Sequence, residues 1–375
     1  MTTTTPGHHL GQPAGADGLL VPITLQLGPI RRLLVIDVTD DPTYRTLEPQ
    51  VLDGPDGRGL VLLAYRHDDH VELYAEPHVQ VDPTGYDGLG KGVLGIHHTT
   101  FRAARFEVTD DGLKLDVAFT APNGRCVELR MHEHVTGSRD AFPMLAPVGG
   151  SFDAPAFFPF IWLPGLSFVP VRGTEVAILV DGESRAIPRL PLPVGGRRCL
   201  MARYDPDVMA CELNPSRLTD LPRARGRTAA EAERTEGVDV IDMHGHQGIA
   251  GVRVDRAGST CGVRLDPPLP DIASLPSSAH HRGAILVQAD DRTQLAGRYE
   301  VRRHGDRVHL LIDRFGPWRS RHRRPLLAVL FRLPIFRRWP TTYRWQATLD
   351  LADSATPGSR WTSRWSRSTG VSPPD

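Results

Sequence analysis

Residues 101–135 read FRAARFEVTDDGLKLDVAFTAPNGRCVELRMHEHV, and the fold class is decided there. Arg105–Val108 leads into the turn Asp110-Asp111-Gly112. From Leu113 to Phe119 the chain alternates. Leu113, Leu115, Val117 and Phe119 point one way and Lys114, Asp116 and Ala118 the other, which is the two-residue period of a half-buried strand. Pro122-Asn123-Gly124 turns the chain, because Asn and Gly tolerate the positive φ of a tight hairpin. Val127–Val135 then alternates again. The spacing predicts a three-strand antiparallel meander.

Similar segments recur outward from it, at Leu60–Tyr65, Val71–Val81, Glu175–Val180, Cys199–Tyr204, Val238–Met243 and Ile249–Val254. Ala284–Gln288, Tyr299–Arg303, Arg307–Ile312, Tyr343–Leu351 and Arg360–Trp365 follow. Helical periodicity is confined to Thr228–Glu236 and a segment near Leu326–Phe336. Many short strands at close spacing predict a mainly β chain, built as two antiparallel β-barrel or sandwich domains with few short helices. The expected layout is a disordered tail over 1–18, an N-terminal β domain over 19–150 and a buried aromatic and proline-rich connector over 151–170. A C-terminal β domain over 171–365 follows, with a polar insertion at 214–236, and then a disordered tail over 366–375.

Lys+Arg and Asp+Glu both number 44 in 375 residues, so no global field draws the chain to nucleic acid. Only Lys91 and Lys114 are lysines, and 33 prolines and 36 glycines accompany the arginines. This composition is what a high-GC bacterial genome is expected to give, so arginine abundance alone says little about anion binding. Cys126, Cys199, Cys211 and Cys261 form no CxxC pair and have no zinc spacing to histidine, as expected of reduced, buried thiols. The N-terminal residues have neither a basic nor an apolar signal region, and no run of about 18 apolar residues occurs. A cytoplasmic location is expected.

Several constellations are candidates for chemistry. On Val127–Val135, alternation places Glu133 with Val127, Leu129 and Met131. A carboxyl on an apolar face is expected to have a raised pKa and to serve as a general acid; the alternative is a carboxylate at a strand end with a structural partner. His132 and His134 share the opposite face and are candidate metal ligands, or members of a solvated polar face. Asp242, His244 and His246 cluster at a glycine-containing turn, as a base–orienter pair, a partial metal site or a decorated hairpin. The glycine-rich run around Lys91 lacks phosphate-loop spacing. Phe158, Phe160, Trp162, Tyr343 and Trp345 are candidate walls of an apolar ligand cavity, or ordinary core. Between Arg319 and Trp339 an apolar run is flanked by arginines, the pattern of a membrane-surface contact or of a helix plugging a barrel end.

The meander at 101–135, the aromatic and proline connector at 155–170 and a second β region ending in Tyr343-Arg344-Trp345 resemble the two-domain lipocalin-like group. That group includes carotenoid 1,2-hydratases and related pericyclic cyclases. The resemblance implies tandem barrels, a polyene or polyketide-type substrate and acid chemistry without a cofactor. It carries over no catalytic residue. The resulting expectation is a cofactor-independent hydratase, cyclase or isomerase acting on an apolar small molecule, with Glu133 as acid and Asp242 with His244 second. The alternatives are a non-catalytic carrier or sensor of a lipid-like ligand, and a cupin-like metal enzyme. No nucleic-acid partner is expected.

Overall fold

The structure, a computed structural model, describes residues 19–55, 57–86, 89–134, 140–148, 153–218, 221–224, 237–243, 246–318, 325–352 and 361–367. The chain is mainly β, with curled sheets and a half-barrel. The 101–135 stretch forms strands Phe101–Thr109, Gly112–Thr120 and Cys126–Glu133, paired antiparallel in sequence. Thr174–Val180 and Glu183–Ser184 extend them to a five-stranded sheet. Leu113, Leu115, Val117, Phe119, Val127, Leu129 and Met131 all face inward and are buried. They pack on Leu34, Ile36, Leu62, Tyr74 and Tyr204 of a second, ten-stranded sheet. This sheet-on-sheet contact is a sandwich, and burying each such aliphatic side chain is worth roughly 1.5–3 kcal/mol.

In order, the ten-stranded sheet runs Leu25–Leu27, Met209–Leu213, Phe158–Pro170, Cys199–Asp205, Ile30–Asp37, Tyr44–Gly54, Gly57–Arg66, Val71–Ala75 and Val93–His98, with Phe142–Leu145 also on Phe158–Pro170. Two expectations change here. The segment read as an irregular connector contains the strand Phe158–Pro170, paired with Met209–Leu213, Phe142–Leu145 and Cys199–Asp205. Its residues are buried in runs, and a strand covered on both faces shows no alternation. Cys199–Asp205 and Met209–Leu213, expected in the second domain, hydrogen-bond into the sheet of Ile30–Asp37 and Leu25–Leu27.

Leu19–Leu20 pairs antiparallel with Arg223–Ala224, and the remaining strands form an eight-stranded antiparallel meander in strict chain order, from Val238–Met243 to Trp361–Arg367. Ser366 and Arg367, expected in a tail, pair with Arg344 and Tyr343. The Leu326–Phe336 expectation resolves into two short helices, Pro325–Leu330 and Pro334–Arg338, because Pro334 begins the second at a position where its missing N–H has no partner to lose. The Thr228–Glu236 helix, residues 1–18 and residues 368–375 lie outside the described residues. Among the described residues no helix is long and apolar enough to cross a membrane.

The eight- and ten-stranded sheets share one core. Phe158 lies with its ring centroid 4.8 Å from Phe315, 4.9 Å from Tyr343 and 5.6 Å from Trp365. The Arg256 guanidinium reaches from one sheet to donate to the carbonyls of Ile30 (2.6 Å), in a strand of the other, and of Gly28 (3.0 Å) and Val208 (3.1 Å), which adjoin the ends of its strands.

Candidate functional site

Glu133 ends its strand on the inward face and is only 4 % exposed. Gly112, at φ +124°, lets the preceding turn close on it, since a Cβ there would collide with the Glu133 carbonyl. Glu133 Oε2 consequently accepts the Leu113 N–H at 3.1 Å and the Tyr204 hydroxyl at 2.9 Å. Asp140, Ser167, Arg197, Cys199 and Tyr204 line a cavity of about 30 Å³ beside it. That is room for a water or two rather than a polyene. Burial pushes the Cys199 thiol up, away from the reactive thiolate.

Among the described residues, the other sequence candidates do not converge on Glu133. His132 lies on the opposite face, 2.9 Å from both oxygens of Asp116. His134 is exposed, 3.6 Å from Glu175. Among the described residues no three His, Cys, Asp or Glu side chains gather as metal ligands. Asp242 is on the strand Val238–Met243, opposite Gln247; its side chain, and His244 altogether, lie outside what the structure describes. Lys91 is exposed in a loop, its N–H donating to the Asp69 carbonyl. Phe158, Phe160, Trp162, Tyr343 and Trp345 come together in the shared core. Trp162 Nε1 donates to Asp290 at 3.1 Å, whereas Trp345 Nε1 is buried with no hydrogen-bond partner among the described residues. Trp339, at the end of the arginine-flanked run, is buried with its ring stacked on Phe158 at 5.6 Å.

The larger opening lies elsewhere, on the polar face of the eight-stranded meander. It is an open trough of about 650 Å³, within the size range of small-molecule sites. Alternation creates it. Tyr343, Trp345, Trp361 and Trp365 turn into the core, so Arg344, Gln346 and Arg364 between them turn outward, joined by Glu300, Arg302 and His309. Register sets these side chains side by side: Arg302 opposite His309, His309 opposite Thr348, Gln346 opposite Arg364.

No similarity was found to any family model, curated protein or solved structure. Burial alone would raise the Glu300 carboxyl, but hydrogen bonds from Arg302 and His280 outweigh it and hold the group below its usual range. Arg302 is thereby neutralised. Arg344 and Arg364 are both exposed and have no ion-pair partner among the described residues. They sit diagonally across adjacent strands, Arg344 facing Ser366 and Arg364 facing Gln346, which places such side chains about 7–8 Å apart at the backbone. Two planar forks at that spacing suit an anion with several oxygens. The sequence did carry a signal for them. The aromatic residues of these strands mark the face they bury, and the residues between them define the face they leave open.

Proposed function

We propose that the chain is a carrier or sensor of an anionic small molecule, held in the trough on the polar face of the eight-stranded meander. The observation that carries this reading is the pair Arg344 and Arg364, two guanidiniums without carboxylate partners among the described residues, in a concavity of about 650 Å³. Acid catalysis on an apolar substrate draws less support, since the space at Glu133 admits water but not such a substrate.

Thermal melts of the full chain with inorganic phosphate, citrate and dodecanoate test this. At least one of the three raises the melting temperature in proportion to the logarithm of its concentration, and the Arg344→Gln/Arg364→Gln variant loses that rise. Equal shifts in the two proteins, or no shift with any of the three anions, would sink the reading.

A further inference from the structure

We propose that the two helices Pro325–Leu330 and Pro334–Arg338, with the turn between them, dock the protein on an anionic lipid surface. The site is separate from the trough and does not depend on it. Val329 is 62 % exposed and Leu333 48 % exposed, two of the six large apolar side chains that stand out from the surface among the described residues. They are four positions apart, and the exposed Arg332 lies between them. Arg337 and Arg338 are exposed on the next turn of chain. None of these three arginines has an ion-pair partner among the described residues, and residues 319–342 contain no Asp or Glu. The composition is that of an interfacial segment: apolar side chains that enter the acyl boundary and cations that meet phosphate.

The reverse side of this platform is fixed. Leu327 and Phe331 are buried, and the Phe331 N–H donates to the Leu327 carbonyl at 2.9 Å. The Phe331 ring meets Trp318 edge-on at 5.2 Å and Phe336 at 5.0 Å. Val329 and Leu333 therefore project from a preformed surface, and docking requires no further ordering of the described backbone. Charge complementarity selects the partner. Three guanidiniums without ion-pair partners among the described residues match a sheet of phosphodiesters, and the apolar pair beside them matches the layer beneath. A nucleic acid offers the phosphates without the apolar layer. A stable protein interface needs roughly 800 Å² on each side, far more than two apolar side chains present.

The test is co-sedimentation of the full chain with vesicles of phosphatidylcholine, alone and mixed with an equal part of phosphatidylglycerol. Binding to the anionic vesicles only, weakened by added salt, is the expected result. Each arginine near a charged leaflet contributes roughly a fivefold gain in partitioning, so Arg337→Gln/Arg338→Gln lowers it roughly 25-fold. Val329→Ser/Leu333→Ser lowers it too while leaving salt sensitivity in place. Both variants alter exposed side chains, and an unchanged circular dichroism spectrum verifies their fold. Absence of binding to the anionic vesicles overturns the proposal. So does equal binding to both vesicle types, or binding that the arginine double variant retains within twofold. Binding of a DNA duplex that survives Val329→Ser/Leu333→Ser would reassign the patch to nucleic acid.

Discussion

Tyr204 donates its phenolic hydrogen to Glu133 across 2.9 Å, joining a strand of the ten-stranded sheet to the end of a strand in the five-stranded sheet. The bond is buried and spans 71 positions of sequence, so it acts as a tie between the two layers. Removing the hydroxyl in Tyr204→Phe is expected to lower unfolding free energy by about 1–2 kcal/mol. Glu133→Ala, which also strands the Leu113 N–H, is expected to lower it by about 2–3 kcal/mol. A double-mutant cycle in urea checks the tie. The two losses should fall short of adding by about 1 kcal/mol, and additivity within about 0.3 kcal/mol would show that the contact contributes nothing.

Asp205 gives stability an acid-side slope. Its carboxylate is fully buried and accepts the N–H of Gly165 at 2.8 Å and of Asp207 at 2.9 Å. Burial pushes its pKa up to about 6, against the lowering effect of those two bonds. The folded state thus holds the proton more tightly than the unfolded chain does. Its contribution is present below about pH 4 and is lost as pH rises through about 6. Relative to Asp205→Asn, the natural chain should lose on the order of 2–3 kcal/mol between pH 4 and pH 7. Urea titrations at the two pH values measure this, and parallel behaviour of the two proteins would contradict it.

Glu72 has the opposite sign. Burial alone would raise its carboxyl, but hydrogen bonds from Tyr44 (2.6 Å), Tyr74 (2.7 Å) and Arg66 (2.8 Å) outweigh it and lower the pKa. Burial, followed by the bond to Glu72, pushes Tyr44 up to about 12. The contribution of Glu72 is therefore present above about pH 4.3, its ordinary value, and is lost as pH falls through the depressed folded value. Glu72→Gln should be less stable than the natural chain at pH 7, and the gap should close toward pH 3. A gap that stays constant across that range would rule out ionisation as its source.

Arg256 predicts cooperative unfolding. Its guanidinium satisfies three carbonyls in or beside the strands of the opposite sheet. Burial, the main influence on its pKa, lowers it from a value far above neutrality, and the group remains charged. Arg256→Met leaves those acceptors unpaired and is expected to destabilise by at least about 3 kcal/mol. Arg253→Met, at an exposed position of the same strand, should change stability by less than about 0.5 kcal/mol. Because the core is shared, tryptophan fluorescence and far-ultraviolet circular dichroism should report a single coincident transition. Two separate transitions would mean that the sheets fold independently.

The strands legible in the sequence are those with one wet face. Gly112–Thr120, Cys126–Glu133 and Arg307–Asp313 announce themselves because water on one side and core on the other impose a two-residue period. Phe158–Pro170 escapes the same reading because both of its faces are covered. Glu133 was legible as an inward carboxylate for the same reason as its neighbours. Its partner Tyr204 was not, since no local pattern links positions 71 residues apart.

By itself, then, the sequence determined the secondary structure class, the inward and outward faces of most strands and the burial of Glu133. Those properties follow from side-chain polarity over a few consecutive residues. Tertiary structure alone decided which strands become neighbours, and with that the union of the sheets through Phe158 and Arg256 and the assembly of Arg302, Arg344 and Arg364 into one trough. Strand pairing is a contest among distant segments for the same backbone hydrogen bonds. Its outcome depends on the whole set of competitors, which no single stretch of chain contains.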